Sequence, residues 1–97
     1  MTAYTRADLD RLAASGRTVE LVDVRSPSEF AAGSVPGARS IPADAVVEAL
    51  ATLARDRVVV AVCNHGGSRS QGAAAALRAA GFADAGHLVG GVHGWVA

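Results

Sequence analysis

The run Val58-Val59-Val60-Ala61-Val62 constrains this chain more than any other stretch. A strand with one wet face alternates apolar and polar residues, and this run does not alternate. It reads as a central strand of a parallel sheet, buried on both faces. Covering both faces takes helices, so the rest of the chain must supply them on either side of the sheet.

Alternating segments answer that demand. Thr5 caps a first helix, with Asp8 three residues later as its capping-box partner, and Ser15-Gly16 ends it. Val19 to Val24 reads as a strand. Ser26 caps a short second helix, with Pro27 at its first position and Glu29 reaching back to the cap, and Gly33 stops it. Residues 33–42 read as a loop rich in Gly and Pro, with a short strand near Arg39 to Ile41. Asp44 opens a helix whose apolar face carries Val46, Val47, Leu50 and Leu53. A loop from Cys63 to Arg69 follows the apolar strand. Ser70 to Ala80 is an Ala-rich helix ended by Gly81. His87-Leu88-Val89 forms a last strand, and Gly90-Gly91 leads to a terminal segment carrying Trp95. The fold class expected is α/β, with about five mainly parallel strands and helices on both faces.

Composition narrows the function classes. The 97 residues make a single domain, residues 1–97. With 51% hydrophobic and 19% charged residues, the chain can bury a core. Nine Arg balance nine acidic residues, so the chain lacks the basic excess of a nucleic-acid binder. No apolar run reaches membrane-spanning length, so no membrane partner is expected. One cysteine excludes an intrachain disulfide and any multi-cysteine metal site, and neither a metal nor a cofactor is called for. Met1 to Arg6 has no apolar core of a signal peptide. With a free thiol, that points to a reducing cytoplasm.

Chemistry concentrates around Cys63. In parallel α/β sheets ligands bind outside the carboxyl ends of the strands, and Cys63 directly follows the most apolar strand. A thiol becomes a nucleophile when its thiolate is stabilised. A loop between strand end and helix start offers inward N–H groups and the positive end of the helix dipole. Gly66 and Gly67 let the backbone curl around an anion. Arg69 adds a fixed positive charge with planar donors. Asn64, His65 and Ser68 complete the substrate-binding loop around the catalytic Cys63. A lone cysteine is usually a small buried hydrophobe, but the Gly pair, Arg69 and the strand–loop–helix position outweigh that reading here. His87 and His93 have no Cys or carboxylate partner at metal-ligand spacing.

Four stretches, in order along nearly the whole chain, resemble the single-domain rhodanese-like sulfurtransferases. They are Leu21-Val22-Asp23-Val24-Arg25 with Glu29-Phe30 and Gly33; Val35-Pro36-Gly37-Ala38 through Ile41-Pro42; the loop from Cys63; and Leu77, Gly81-Phe82, Leu88 to Gly91 and Trp95. Ser34 stands where the family usually has His. The resemblance implies an enzyme in which Cys63 accepts a sulfane sulfur and passes it on from a persulfide. It implies a thiosulfate-like donor anion or a protein persulfide donor, and a thiol or cyanide acceptor. It also implies that Asp23 and Arg25 tie loops together near the site.

One feature departs from that family. Typical loops place four residues between Cys and Arg, whereas five stand between Cys63 and Arg69, and Gly81 is displaced by the same single position. C-x5-R is also the signature of cysteine-dependent phosphatases and certain arsenate reductases, whose wider cradle suits a tetrahedral oxyanion. A phosphatase or arsenate reductase is thus an alternative, as is a non-catalytic regulatory module. Against the phosphatase reading, Val62 precedes the cysteine where phosphatases commonly have His.

Overall fold

The computed structural model describes residues 2–95. Its sheet has five strands, all paired in parallel: β1 (Ala3–Tyr4), β2 (Val19–Asp23), β3 (Arg39–Ser40), β4 (Val58–Val62) and β5 (Gly86–Leu88), in the order β1-β5-β4-β2-β3. The helices are α1 (Arg6–Ala14), α2 (Pro27–Ala32), α3 (Val46–Ala49), α4 (Ser68–Ala79) and α5 (Gly91–Trp95). A 3-10 turn over Ala43–Ala45 leads into α3.

Every residue of β4 is buried, as its unbroken apolar run requires. Val59 and Ala61 face Val46 of α3 and Ala73 and Leu77 of α4, with Leu50 and Phe82 in the same cluster. Val58, Val60 and Val62 face the other way, onto Leu9 of α1 with Tyr4 and Leu88, and Val92 and Trp95 of α5 pack against that cluster. Alternate residues of one strand thus seed two cores, one on each face. Arg6 closes the second over the Trp95 ring, 4.4 Å from its centroid.

Local signals set the ends of the helices. The capping boxes of Thr5 with Asp8 and Ser26 with Glu29 both form, and Pro27 opens α2. Other boundaries moved. β1 is two residues long, too short to leave a periodic signal, and is held by pairing with β5. The helix expected from Asp44 is a 3-10 turn and four helical residues, and Val47 is exposed rather than on its apolar face. The α4 helix starts at Ser68, two residues earlier than expected. Gly67 serves as its cap residue and accepts a bond from the Gln71 amide at 3.1 Å, so Ser68 and Arg69 lie in the first turn, not in a loop.

Candidate active site

Cys63 stands at the carboxyl edge of β4, between β5 and β2, with its residue 4% exposed. Above it opens a depression of about 220 Å³ lined by Cys63, Asn64, His65, Gly67, Ser68 and Arg69. The thiol donates to Ser70 Oγ at 3.1 Å, and Ser70 Oγ–H donates to Gly67 O at 3.2 Å. Burial pushes the thiol up. The Ser70 hydroxyl and the amides of Ser70, Gly67 and Gly66 favour the anion and prevail, so the net direction is down from the ordinary cysteine value.

Two glycines make that curl possible. Gly66 sits at φ +76, and a Cβ there would lie 2.8 Å from Leu88 O. Gly91 sits at φ +59, and its Cβ would lie 2.2 Å from Cys63 O. The close approach lets the first amides of α5 cap the active loop: Val92 N–H donates to Cys63 O at 2.9 Å and His93 N–H to Asn64 O at 3.1 Å. Gly67, by contrast, has an ordinary negative φ and open space around it, so it does not share the steric need of Gly66.

Beneath the loop lies a buried ion pair. Arg25 Nη2 reaches Asp23 Oδ2 at 2.7 Å, and both side chains are buried. Arg25 also donates from Nε to both Asp23 oxygens, from Nη2 to Gly33 O at 2.7 Å and from Nη1 to Asn64 Oδ1 at 3.0 Å. Ser34 Oγ donates to Asp23 Oδ2 at 2.5 Å. Burial raises the Asp23 carboxyl, but the bonds from Arg25 and Ser34 outweigh it and hold the group below the ordinary carboxylate range. Asp23 and Arg25 therefore join the end of β2, the loop after α2 and the cysteine loop.

The expected substrate-binding residues divide into two groups. Gly66 and Gly67 belong to the backbone whose amides favour the Cys63 anion. The Asn64 side chain is occupied elsewhere: it accepts from Arg25 and donates from Nδ2 to Glu29 Oε2 at 3.2 Å. His65 is exposed, its ring stacked on that of His93 with centroids 4.5 Å apart. Ser68 is exposed on the first turn of α4. Arg69 lines the mouth but binds Glu29 in a fork, Nη1 to Oε1 at 2.9 Å and Nη2 to Oε2 at 3.3 Å.

Three contributors carry no sequence signal for this role. By sequence Ser70 is an ordinary helix residue, but as the third residue of α4, seven positions after the cysteine, it brings its Oγ to 3.1 Å from the sulfur. Glu29 had a complete explanation as a capping residue. Gln71 Nε2 donates to Gly66 O at 2.9 Å and pins the loop, a contact no motif announces.

The domain is thus a parallel α/β sheet with a buried cysteine at the carboxyl edge of its central strand, set before the N-terminus of α4, in surroundings that favour its anion. The Rhodanese-like domain family matches residues 5–97, and the chain belongs to that family. It is 41% identical over 76 residues to the thiosulfate sulfurtransferase GlpE of Pseudomonas aeruginosa, covering 78% of this chain and 68% of that protein. It is 45% identical over 83 residues to the probable adenylyltransferase/sulfurtransferase MoeZ of Mycobacterium tuberculosis, covering 84% of this chain. The chain spans only about a fifth (21%) of MoeZ. Among solved structures, the human single-domain sulfurtransferase TSTD1 superposes with a TM-score of 0.81 at 30% identity, over 99% of this chain and 96% of that one. Among the described residues no helix is long and apolar enough to cross a membrane.

Proposed function

We propose that this chain is a single-domain sulfurtransferase that carries a sulfane sulfur on Cys63. The observation that supports it most is the cradle: the Ser70 hydroxyl lies 3.1 Å from the sulfur, and with the amides of Ser70, Gly67 and Gly66 it favours the anion. Its similarity to GlpE and TSTD1, whose names state sulfurtransferase activity, points the same way.

The chemistry follows from that geometry. As the thiol ionises, the Ser70 hydroxyl turns from Gly67 O to donate to the thiolate. The thiolate attacks the outer sulfur of thiosulfate, the donor's S–S bond breaks, and sulfite leaves with the electron pair. The new terminal sulfur of the Cys63 persulfide inherits the negative charge, and the loop amides stabilise it. A thiolate or cyanide then attacks that sulfur, carries it away as a persulfide or thiocyanate, and Cys63 returns as thiolate. Gly66, Gly67 and Ser70 hold the anion, whereas Asn64, Asp23 and Arg25 hold the loop. His65, Ser68 and Arg69 form the rim that donor and acceptor meet. A reducing cytoplasm, the setting of this cycle, supplies thiol acceptors.

The C-x5-R spacing does not favour a phosphatase, because the fork to Glu29 engages the guanidinium that such chemistry needs over the oxyanion. Thiosulfate:cyanide turnover by wild type, absent in Cys63→Ala, tests the proposal. Turnover retained by Cys63→Ala refutes it, and hydrolysis of an aryl phosphate by wild type without sulfur transfer would restore the alternative.

A further inference from the structure

The site holds an electrostatic arrangement that sulfur transfer as such does not require. Arg69 is the charged side chain that lines the depression over Cys63, and the carboxylate of Glu29 grips it through both guanidinium NH2 groups. That carboxylate is itself fixed. Its Oε1 accepts from Ser26 N–H at 3.1 Å and Ser26 Oγ–H at 3.0 Å, and its Oε2 accepts from Asn64. Glu29 is thus tied to the start of α2 and cannot follow Arg69 if the arginine turns toward the sulfur. The Arg69 fork, then the bonds from Ser26 and Asn64, bring Glu29 down to about 2, so it stays ionised at any working pH. The buried Asp23–Arg25 pair cancels itself below. Once Cys63 ionises, its charge stands beside an arginine already paired with a carboxylate. A dianion entering there meets the loop amides but no unpaired cationic side chain.

We propose that Glu29 is a positioning residue that holds Arg69 away from the sulfur and so selects organic persulfides, of low charge, over small inorganic dianions as sulfur donors. This rests on the sulfurtransferase reading and deepens it. With such a donor the Cys63 thiolate attacks the outer sulfur, the donor's S–S bond breaks, and the organic thiolate leaves with the electron pair. The proton of the outer sulfur stays with the sulfur transferred, so no oxidant or reductant is consumed.

The test uses two alkylating reagents of nearly equal size, iodoacetate and iodoacetamide, on the single cysteine. Both react by displacement of iodide, so thiolate fraction and folding cancel in their rate ratio, and charge selection remains. Glu29→Gln should raise the iodoacetate-to-iodoacetamide ratio about five- to tenfold at low salt, with most of the gain lost near 1 M salt, where the screening length falls to about 3 Å. Arg69→Gln should lower the ratio. Adding Glu29→Gln to Arg69→Gln should then change the ratio less than half as much, because Glu29 acts through the arginine. Glu29→Asp keeps a capping carboxylate with a shorter reach and should move the ratio the same way by less. In single-turnover loading, Glu29→Gln should raise the rate with thiosulfate relative to benzyl hydropersulfide by a similar factor. A ratio unchanged within about twofold, or an effect undiminished without Arg69, overturns the proposal. Failure of every donor to load sulfur on wild-type Cys63 overturns the sulfurtransferase reading and the donor assignment with it. The alkylation ratio, read independently of turnover, tells the two failures apart.

Discussion

Replacing Asp23 by Ala would strand Arg25, a buried guanidinium whose carboxylate partner lies 2.7 Å away. Breaking a buried ion pair from one side costs about 3–5 kcal/mol, because the remaining charge has lost its compensation. Arg25 would keep its bonds to Gly33 O and Asn64 Oδ1, which places the expected loss near the lower end, about 3 kcal/mol. Domains of this size are stable by roughly 5–15 kcal/mol, so the variant would forfeit a fifth to more than half of its margin. At about 4–8 °C per kcal/mol, the melting temperature should fall by roughly 12 °C or more. Asp23→Asn keeps an acceptor and the side-chain volume but not the charge, so it should recover only part of that loss. Denaturant unfolding at pH 7, followed by circular dichroism, measures both. The Asp23 carboxyl lies below the ordinary range in the folded state, so its stabilisation is present above the unfolded carboxylate value and fades as the pH falls. Asp23→Ala should therefore also flatten the acid side of the stability profile. A loss below about 1 kcal/mol for Asp23→Ala would refute the view that this pair ties the loops together.

Three further outcomes follow from the same geometry. Ser70→Ala removes a donor to the sulfur, so the thiolate midpoint, followed by absorbance against pH, should rise toward the ordinary value and neutral-pH alkylation should slow severalfold. Gly91→Ala forces a Cβ to 2.2 Å from Cys63 O, so the loop must shift; denaturation should show a loss of about 1–3 kcal/mol together with weakened sulfur transfer. Glu29 falls from an ordinary 4.5 to about 2 on folding, so stability should hold above pH 4.5 and decline as pH falls toward 2, and Glu29→Gln should reduce that decline.

The parts of the molecule legible in the sequence are those whose cause is local. The β4 run announced its burial because nothing in it is polar, and both capping boxes announced their helices because partner and cap lie three residues apart. Cys63 with its Gly-bearing loop was legible because strand end, thiol and glycine are contiguous. What was hidden depends on contacts between segments far apart in the chain. β1 exists through β5, and His65 stacks on His93 across 28 positions of chain. By sequence Arg69 belongs to the anion cradle, because its spacing from Cys63 is the only local signal it carries. Its fork to Glu29, forty residues earlier, needed the fold. Asn64 likewise reads as a substrate donor from its place in the loop, whereas Arg25 and Glu29 occupy its amide in the fold.

The central claim is that Cys63 carries transferable sulfur. Intact-protein and peptide mass spectrometry after incubation with thiosulfate, or with benzyl hydropersulfide, reads it directly. The prediction is one added sulfur atom on Cys63, removed by cyanide or a thiol, and none on Cys63→Ala. No added sulfur on wild type with either donor, in a protein whose Cys63 still alkylates, would contradict it.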